Sequence, residues 1–238
     1  MLFSLTLLAC APNTALIEGI VYERPGDDLV PPLPGATVRM LDAADGAELD
    51  WANTDAQGTF TAEVPHGTNL FVEITRDGLR PAFFAAVVGL EEVIIVEPYT
   101  LYGYAEADAA EVEASFADCP GGGGGAGLVV GEVRSYELAT VISGAHPTIA
   151  NAQVTLVAEG GDRWAACYYD AEGAVYDPEA GVTGDAGQFV VPHVPAGQHG
   201  LEITYDFGGG LIETQTYPVR VDEVPTVSPW FPAWVGLP

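Results

Sequence analysis

Leu33-Pro34-Gly35-Ala36-Thr37-Val38 is followed by Thr54-Asp55-Ala56-Gln57-Gly58-Thr59-Phe60 and then by Val64-Pro65-His66-Gly67. The same order of motifs returns as Ile149-Ala150-Asn151-Ala152-Gln153-Val154, Thr183-Gly184-Asp185-Ala186-Gly187-Gln188-Phe189 and Val194-Pro195-Ala196-Gly197. Each copy reads strand, polar turn, strand, Pro-Gly turn, strand. Gly58 and Gly187 sit where a tight hairpin needs a positive φ, and the Phe two residues on returns to the core. Two copies in tandem predict an all-β chain of two small antiparallel β-sandwich modules.

The 238 residues suffice for two such units, and 48% of them are apolar. The 29 Gly and 18 Pro have no collagen period and alternate with Val, Ile, Tyr and Phe, so they mark turns between short strands. Acidic residues outnumber basic ones 34 to 7, giving a formal net charge of −27. Nucleic acid and anionic membrane surfaces repel such a polyanion, which sets both aside as direct partners. Carboxylates suit Ca²⁺, but no EF-hand spacing is present.

The sequence divides into an N-terminal segment at 1–9, module 1 at 16–98, a helix with a Gly-rich linker at 99–126, and module 2 with an aromatic tail at 127–238. The helix is read from Ala105 to Phe116, rich in Ala and Glu. Its acids are expected to face solvent, with Leu101, Tyr104, Val112 and Phe116 on one side. The run Gly121 to Gly125 is expected to be a flexible linker: no Lys-Ser/Thr follows to make a phosphate loop.

Leu7-Leu8-Ala9-Cys10 closes a short apolar run and resembles the lipobox of bacterial lipoproteins. The resemblance implies that 1–9 is a lipoprotein-type signal peptide and that Cys10 is lipidated, and Ala11 rather than Asp after it implies the outer membrane. The run is too short to span a bilayer. It departs from the lipoprotein pattern in lacking Lys or Arg before the apolar stretch. A chance hydrophobic N-terminus is the other reading. Cys119 and Cys167 remain as a disulfide pair or as two free thiols; a bridge would close about 48 residues, worth roughly 4 kcal/mol.

Gly19-Ile20-Val21, the Pro-Gly-Ala and Thr-x-x-x-Gly-x-Phe motifs, and Gly131-Glu132-Val133 resemble the carboxypeptidase regulatory-like modules, which are prealbumin- or transthyretin-like sandwiches. Module 1 has Leu79 in Gly78-Leu79-Arg80-Pro81 where the family carries Tyr, and module 2 carries an insertion around Tyr168 to Gly181. The resemblance implies non-catalytic accessory modules on exported proteins, without a cofactor, that serve a structural or protein-interaction role.

Three constellations carry possible chemistry. Trp164, Tyr168, Trp230 and Trp234 are candidates for stacking on a glycan, which makes a carbohydrate-binding protein the alternative function. Pro229-Trp230-Phe231-Pro232-Ala233-Trp234 reads equally as a tail that covers an open sheet edge or the module interface. The weakest reading is an intradiol-dioxygenase-like metal enzyme using Tyr168, Tyr169, His193 and His199; their spacing departs from the expected close His-x-His. No metal site is assigned. There is no Gly-x-Ser-x-Gly elbow among the serines. The expectation is therefore a non-enzyme at the bacterial cell envelope.

Overall fold

The structure is a computed structural model that describes residues 13–23, 31–87, 93–96, 101–135, 148–170, 176–206 and 210–235. Cys10, the segment 1–9 and His146 lie outside the described residues. The first half contributes β1 (Thr14–Tyr22), β2 (Thr37–Asp42), β3 (Glu48–Asn53), β4 (Thr59–Pro65), β5 (Asn69–Thr75), β6 (Leu79–Arg80), β7 (Ala82–Val87) and β8 (Val93–Ile95). Next come β9 (Leu101–Tyr102), β10 (Tyr104–Ala105) and α1 (Glu106–Ser115). The second half holds β11 (Gly127–Ser135), β12 (Gln153–Ala158), β13 (Arg163–Ala165), β14 (Cys167–Tyr169) and β15 (Tyr176–Asp177). It ends with β16 (Gln188–Val194), β17 (Gly197–Asp206), β18 (Ile212–Val221) and β19 (Thr226–Val235).

The repeated motifs build the same hydrogen-bonded latch twice. Thr54 Oγ1 accepts from the Ala36 amide at 2.9 Å and donates to the Leu33 carbonyl at 2.7 Å. Thr183 Oγ1 accepts from Ala152 at 2.9 Å and donates to Ile149 at 2.7 Å. Val21 N–H donates to Gly58 C=O, and Val133 N–H donates to Gly187 C=O, each at 2.9 Å. Gly58 and Gly187 have φ of 72° and 69°, and a Cβ on either would lie 2.6 Å from the carbonyl of Val21 or Val133. Gly35 and Asn151 share the left-handed region at the same point of the latch, where Asn tolerates what Gly does freely. Gly19 and Gly131 are each paired with the Phe of the motif, Phe60 and Phe189, whose rings occupy the space a side chain would need.

Two four-stranded sheets flank one long one, β9 joining the first by pairing with β1, and β6 and β10 form a separate two-stranded pair. The sheet β4-β1-β8 stands on one side, β13-β12-β17-β18 on the other, and a nine-stranded sheet runs β15-β14-β16-β11-β19-β7-β5-β2-β3 between them. In the first half, Ile17 and Val21 of β1 and Phe60 of β4 meet Val38, Met40, Val72 and Ile74 in one core. In the second, Val129, Val133 and Phe189 meet Val154, Leu156, Leu201 and Ile203. Alternation explains the choice of faces: β4 reads buried at Phe60, Ala62 and Val64 and exposed at Thr61, Glu63 and Pro65. Each large apolar side chain buried this way contributes about 1.5–3 kcal/mol.

The join between the halves differs from the expected linker. The C-terminal strand β19 lies between β11 and β7, parallel to both. Trp230 pairs with Gly131, Trp234 with Arg134, and Val227 with Ala82. The tail therefore takes the second of its two sequence readings, as the strand that closes the edge between the halves. The glycine run is packed rather than free: Gly122 N–H donates to Pro192 C=O and Gly125 N–H to His193 C=O, each at 2.8 Å. A Cβ on Gly125 would fall 2.0 Å from the Val194 carbonyl. The glycines are there for close backbone approach, a reason that composition alone does not separate from flexibility.

Candidate docking surface

Buried polar groups in this chain join elements to one another. Arg80 is 4% exposed and its guanidinium is shared by two carboxylates of α1, Glu106 at 2.7 Å and Glu113. Burial alone would lower the Arg80 pKa; the hydrogen bonds it donates to Glu106 and Glu113 reverse that and raise it. Arg80 in turn holds Glu106 below the usual carboxylate range. Glu106 and Glu113 reach Arg80 while remaining 55% and 32% exposed, so these two helix acids are ion-paired as well as open to solvent. The helix has no side-chain cap and little apolar asymmetry, so these ion pairs orient it. Val112 and Phe116 pack inward as expected, whereas Leu101 and Tyr104 are buried from β9 and β10 rather than from the helix.

The C-terminal end of α1 meets the insertion of the second half. Phe116 lies edge-on to Tyr169, with ring centroids 4.7 Å apart, and near Tyr176 at 5.6 Å. Cys119 and Cys167 form a disulfide there. The insertion thus supplies β14 and β15, which extend the nine-stranded sheet and receive the helix.

Among the described residues the aromatic candidates share no common surface. Tyr168 is buried, and its hydroxyl accepts the Val154 amide at 2.8 Å; burial raises its pKa. Trp164 is half-buried, edge-on to His199 with centroids 5.8 Å apart. Trp230 is half-buried beside Tyr217, with its Nε1 enclosed and unpartnered. The side chain of Trp234 lies outside the described residues. Tyr217 itself is pushed up to about 12 by burial and by Tyr205.

The intradiol-type metal reading fails on the same geometry. Tyr168 belongs to the second-half core, while Tyr169 packs on the opposite side of the sheet against the first. His193 is exposed at a φ of 58°, and His199 is buried with Nε2 2.9 Å from the Pro195 carbonyl. Burial lowers the His199 pKa, against the opposing hydrogen bond. Among the described residues no group of three or more His, Cys, Asp or Glu side chains is placed to hold a metal ion.

Two surface features escaped the sequence reading. Trp51 on β3 is 55% exposed, and its cross-strand partner Arg39 is fixed by Glu48 at 2.7 Å and Glu73 at 2.6 Å. Burial pushes the Glu73 carboxyl up, against the pull of Arg39. The period-2 pattern places Trp51 and Arg39 on the outer face of their sheet, a signal readable from alternation once β2 and β3 are paired. The second feature is the seam between the halves. Leu41, Phe71 and Phe83 form a separate apolar cluster on that outer face. Arg220 of β18 lies 5.4 Å from the Phe83 ring centre, and Gln198 Nε2 donates to the Ala43 carbonyl at 2.5 Å.

No protein-family model matches the chain. No curated protein matches it either. Among solved structures it is similar to the Bacillus anthracis TIE protein, at 15% identity and a TM-score of 0.28, over 93% of this chain and 33% of that one. The chain thus spans about a third of that protein's length. It is also similar to the shaft pilin spaA from Lactobacillus rhamnosus GG, at 11% identity and TM-score 0.28, covering 94% of this chain and 100% of the pilin. The major pilin subunit BcpA of Bacillus cereus gives 10% identity and TM-score 0.28, covering 92% and 98%. Superpositions at these scores establish no common fold. No helix among the described residues is long and apolar enough to cross a membrane.

Proposed function

We propose that this chain is a non-catalytic, exported protein of the bacterial cell envelope, built of two carboxypeptidase regulatory-like modules. It is held at the outer membrane by a lipid on Cys10 and serves a structural or protein-interaction role. The observation that carries the reading is the way the polar and sulfur chemistry is used. The buried Arg80 pairs, the Thr54 and Thr183 latches and the Cys119–Cys167 bridge each tie one element to another. A structural disulfide fits an oxidising compartment, and the repeated latch fits a tandem of like modules.

The test is expression of the full chain in a Gram-negative host, followed by separation of soluble and envelope fractions. Each fraction is labelled with a thiol reagent before and after reduction. The expected result is an envelope-bound chain whose Cys119 and Cys167 label only after reduction, and a soluble periplasmic chain for Cys10→Ser. A cytoplasmic chain with both thiols free contradicts the proposal.

Glycan binding keeps one observation in its favour, and it is a residue outside the four first considered. Trp51 presents an exposed indole beside a charged, hydrogen-bonded Arg39. Loss of binding on a glycan array in Trp51→Ala, with Trp230→Ala unaffected, would support this second reading; an intact chain that retains no glycan contradicts it.

A further inference from the structure

The outer edge of a sheet is a row of unpaired amides and carbonyls, and proteins usually disarm it by brevity, bulges or caps. Most edges here are disarmed. Strands β13, β15 and β8 have three residues or fewer. The β2–β3 ladder slips register between Met40 and Leu41. On β4 the Glu63 amide is capped by Asp50 Oδ2 at 2.7 Å. The exception among the described residues is β18, which ends its sheet and runs ten residues against β17 with no register shift.

The repeat shows what such an edge accepts. Ile74 pairs with Val38 and Ala82 in the first half, as Ile203 pairs with Val154 and Gln215 in the second. In this correspondence Pro81, Phe83 and Ala85 match Thr214, Thr216 and Pro218. In the first half this edge is occupied: Val227 N–H donates to the Pro81 carbonyl at 2.9 Å, and Ser228 Oγ donates to the Phe83 carbonyl at 3.4 Å. The matching groups of Thr214 and Thr216 therefore point out of the sheet. Pro218 agrees independently, since a proline without an N–H belongs at an outward-facing position.

We propose that the edge of β18 from Ile212 to Pro218 is a strand-acceptor site for an extended, lysine- or arginine-bearing segment of a partner protein. The proposal rests on the interaction reading given above. Main-chain hydrogen bonds supply the attachment, as in other strand additions. Charge supplies the selectivity. Glu213 lies on this edge and Glu202 and Asp206 pair with it from β17, Arg163 is engaged by Glu202, and Arg220 by Asp222. A second copy of the chain is the poorer occupant on two grounds. The seam inside the chain is clamped by Leu41, Phe71 and Phe83, and the matching positions here are Val157, Gly200 and Thr216. Two chains of net charge −27 also repel.

The test uses the full chain with Cys10→Ser and two synthetic peptides of one composition. One peptide alternates lysine and threonine; the other carries its lysines in a single block. Residue-resolved amide exchange is the readout. The alternating peptide is expected to slow exchange at Thr214 and Thr216 roughly tenfold while the block peptide does not. Thr214→Pro, which removes an outward amide without changing charge, abolishes the effect. Thr214→Arg weakens it while keeping the amide, and Thr214→Val leaves it intact. Equal responses to both peptides, undiminished by Thr214→Pro, would show bulk charge attraction and overturn the site. Protection that rises with protein concentration and needs no peptide would assign the edge to a second copy and overturn the partner. Either failure with export and envelope anchoring intact removes the edge alone; failure of export removes the functional reading.

Discussion

The two halves share one latch and treat the edge beside it in opposite ways. In the first half, the strand paired with the outer side of β5 is β7, and β19 closes its free edge. In the second half, the matching strand β18 ends its sheet. The residues that decide this are not the repeated ones. Phe71 and Phe83 present apolar surface at the first edge, where the second offers Gly200 and Thr216. A repeat can therefore fix the fold of each half through local hydrogen bonds while a few unrepeated side chains decide what each half joins. Terminal units of repeat arrays follow the same logic, with a polar outer face where stacking stops.

The comparison can be broken most forcefully at the feature only one half owns. Reduction of the Cys119–Cys167 bridge, which spans 48 residues, is expected to cost about 4 kcal/mol, read as the difference in urea midpoint with and without reductant. A negligible change would mean that the insertion is held by packing alone. Next comes Arg80→Met, which leaves Glu106 and Glu113 without their partner. Because those carboxylates are 55% and 32% exposed and remain solvated, the expected loss is that of hydrogen bonds to charged groups, about 2–3 kcal/mol. Amide exchange over α1 should accelerate while β12 and β17 stay protected.

Thr54→Val and Thr183→Val sharpen the likeness of the halves. Each removes a buried hydroxyl that both donates and accepts, for about 2 kcal/mol apiece in thermal unfolding. Losses that differ by more than about 1 kcal/mol would show that the latches are geometrically alike but energetically distinct. The smallest effect concerns His199, whose place in the first half is taken by Leu70. Burial holds the folded-state pKa of His199 below its ordinary 6.5. As pH falls below that value the unfolded chain takes the proton first, so stability present at neutral pH drains away toward acid. His199→Leu should remove this contribution and change stability at pH 7 by less than about 1 kcal/mol, as seen in thermal midpoints between pH 7.5 and 5.

Much of the fold was legible. The motif Thr-x-x-x-Gly-x-Phe gives each latch, and glycine-rich turns before β11 and β18 mark where those strands begin. What stayed hidden depends on contacts remote in sequence. The packed glycines need Pro192 to Val194 as their partner surface, and Glu106 and Glu113 need Arg80. Tyr168 and Tyr169 are neighbours in sequence that face opposite cores, so residue type alone grouped what alternation separates. Trp51 carries no signal in composition, because its exposure depends on which face of β3 meets the core, a matter settled by pairing.

The central claim is that β19 makes both halves one sheet. The most direct test is native-state hydrogen exchange in increasing urea, followed separately at β7 and at β11. The account predicts that amides of both strands open with the same free energy and the same urea dependence, because each loses one of its two partners when β19 leaves. Opening of β7 together with β5 at one free energy, and of β11 with β16 at another, would contradict it.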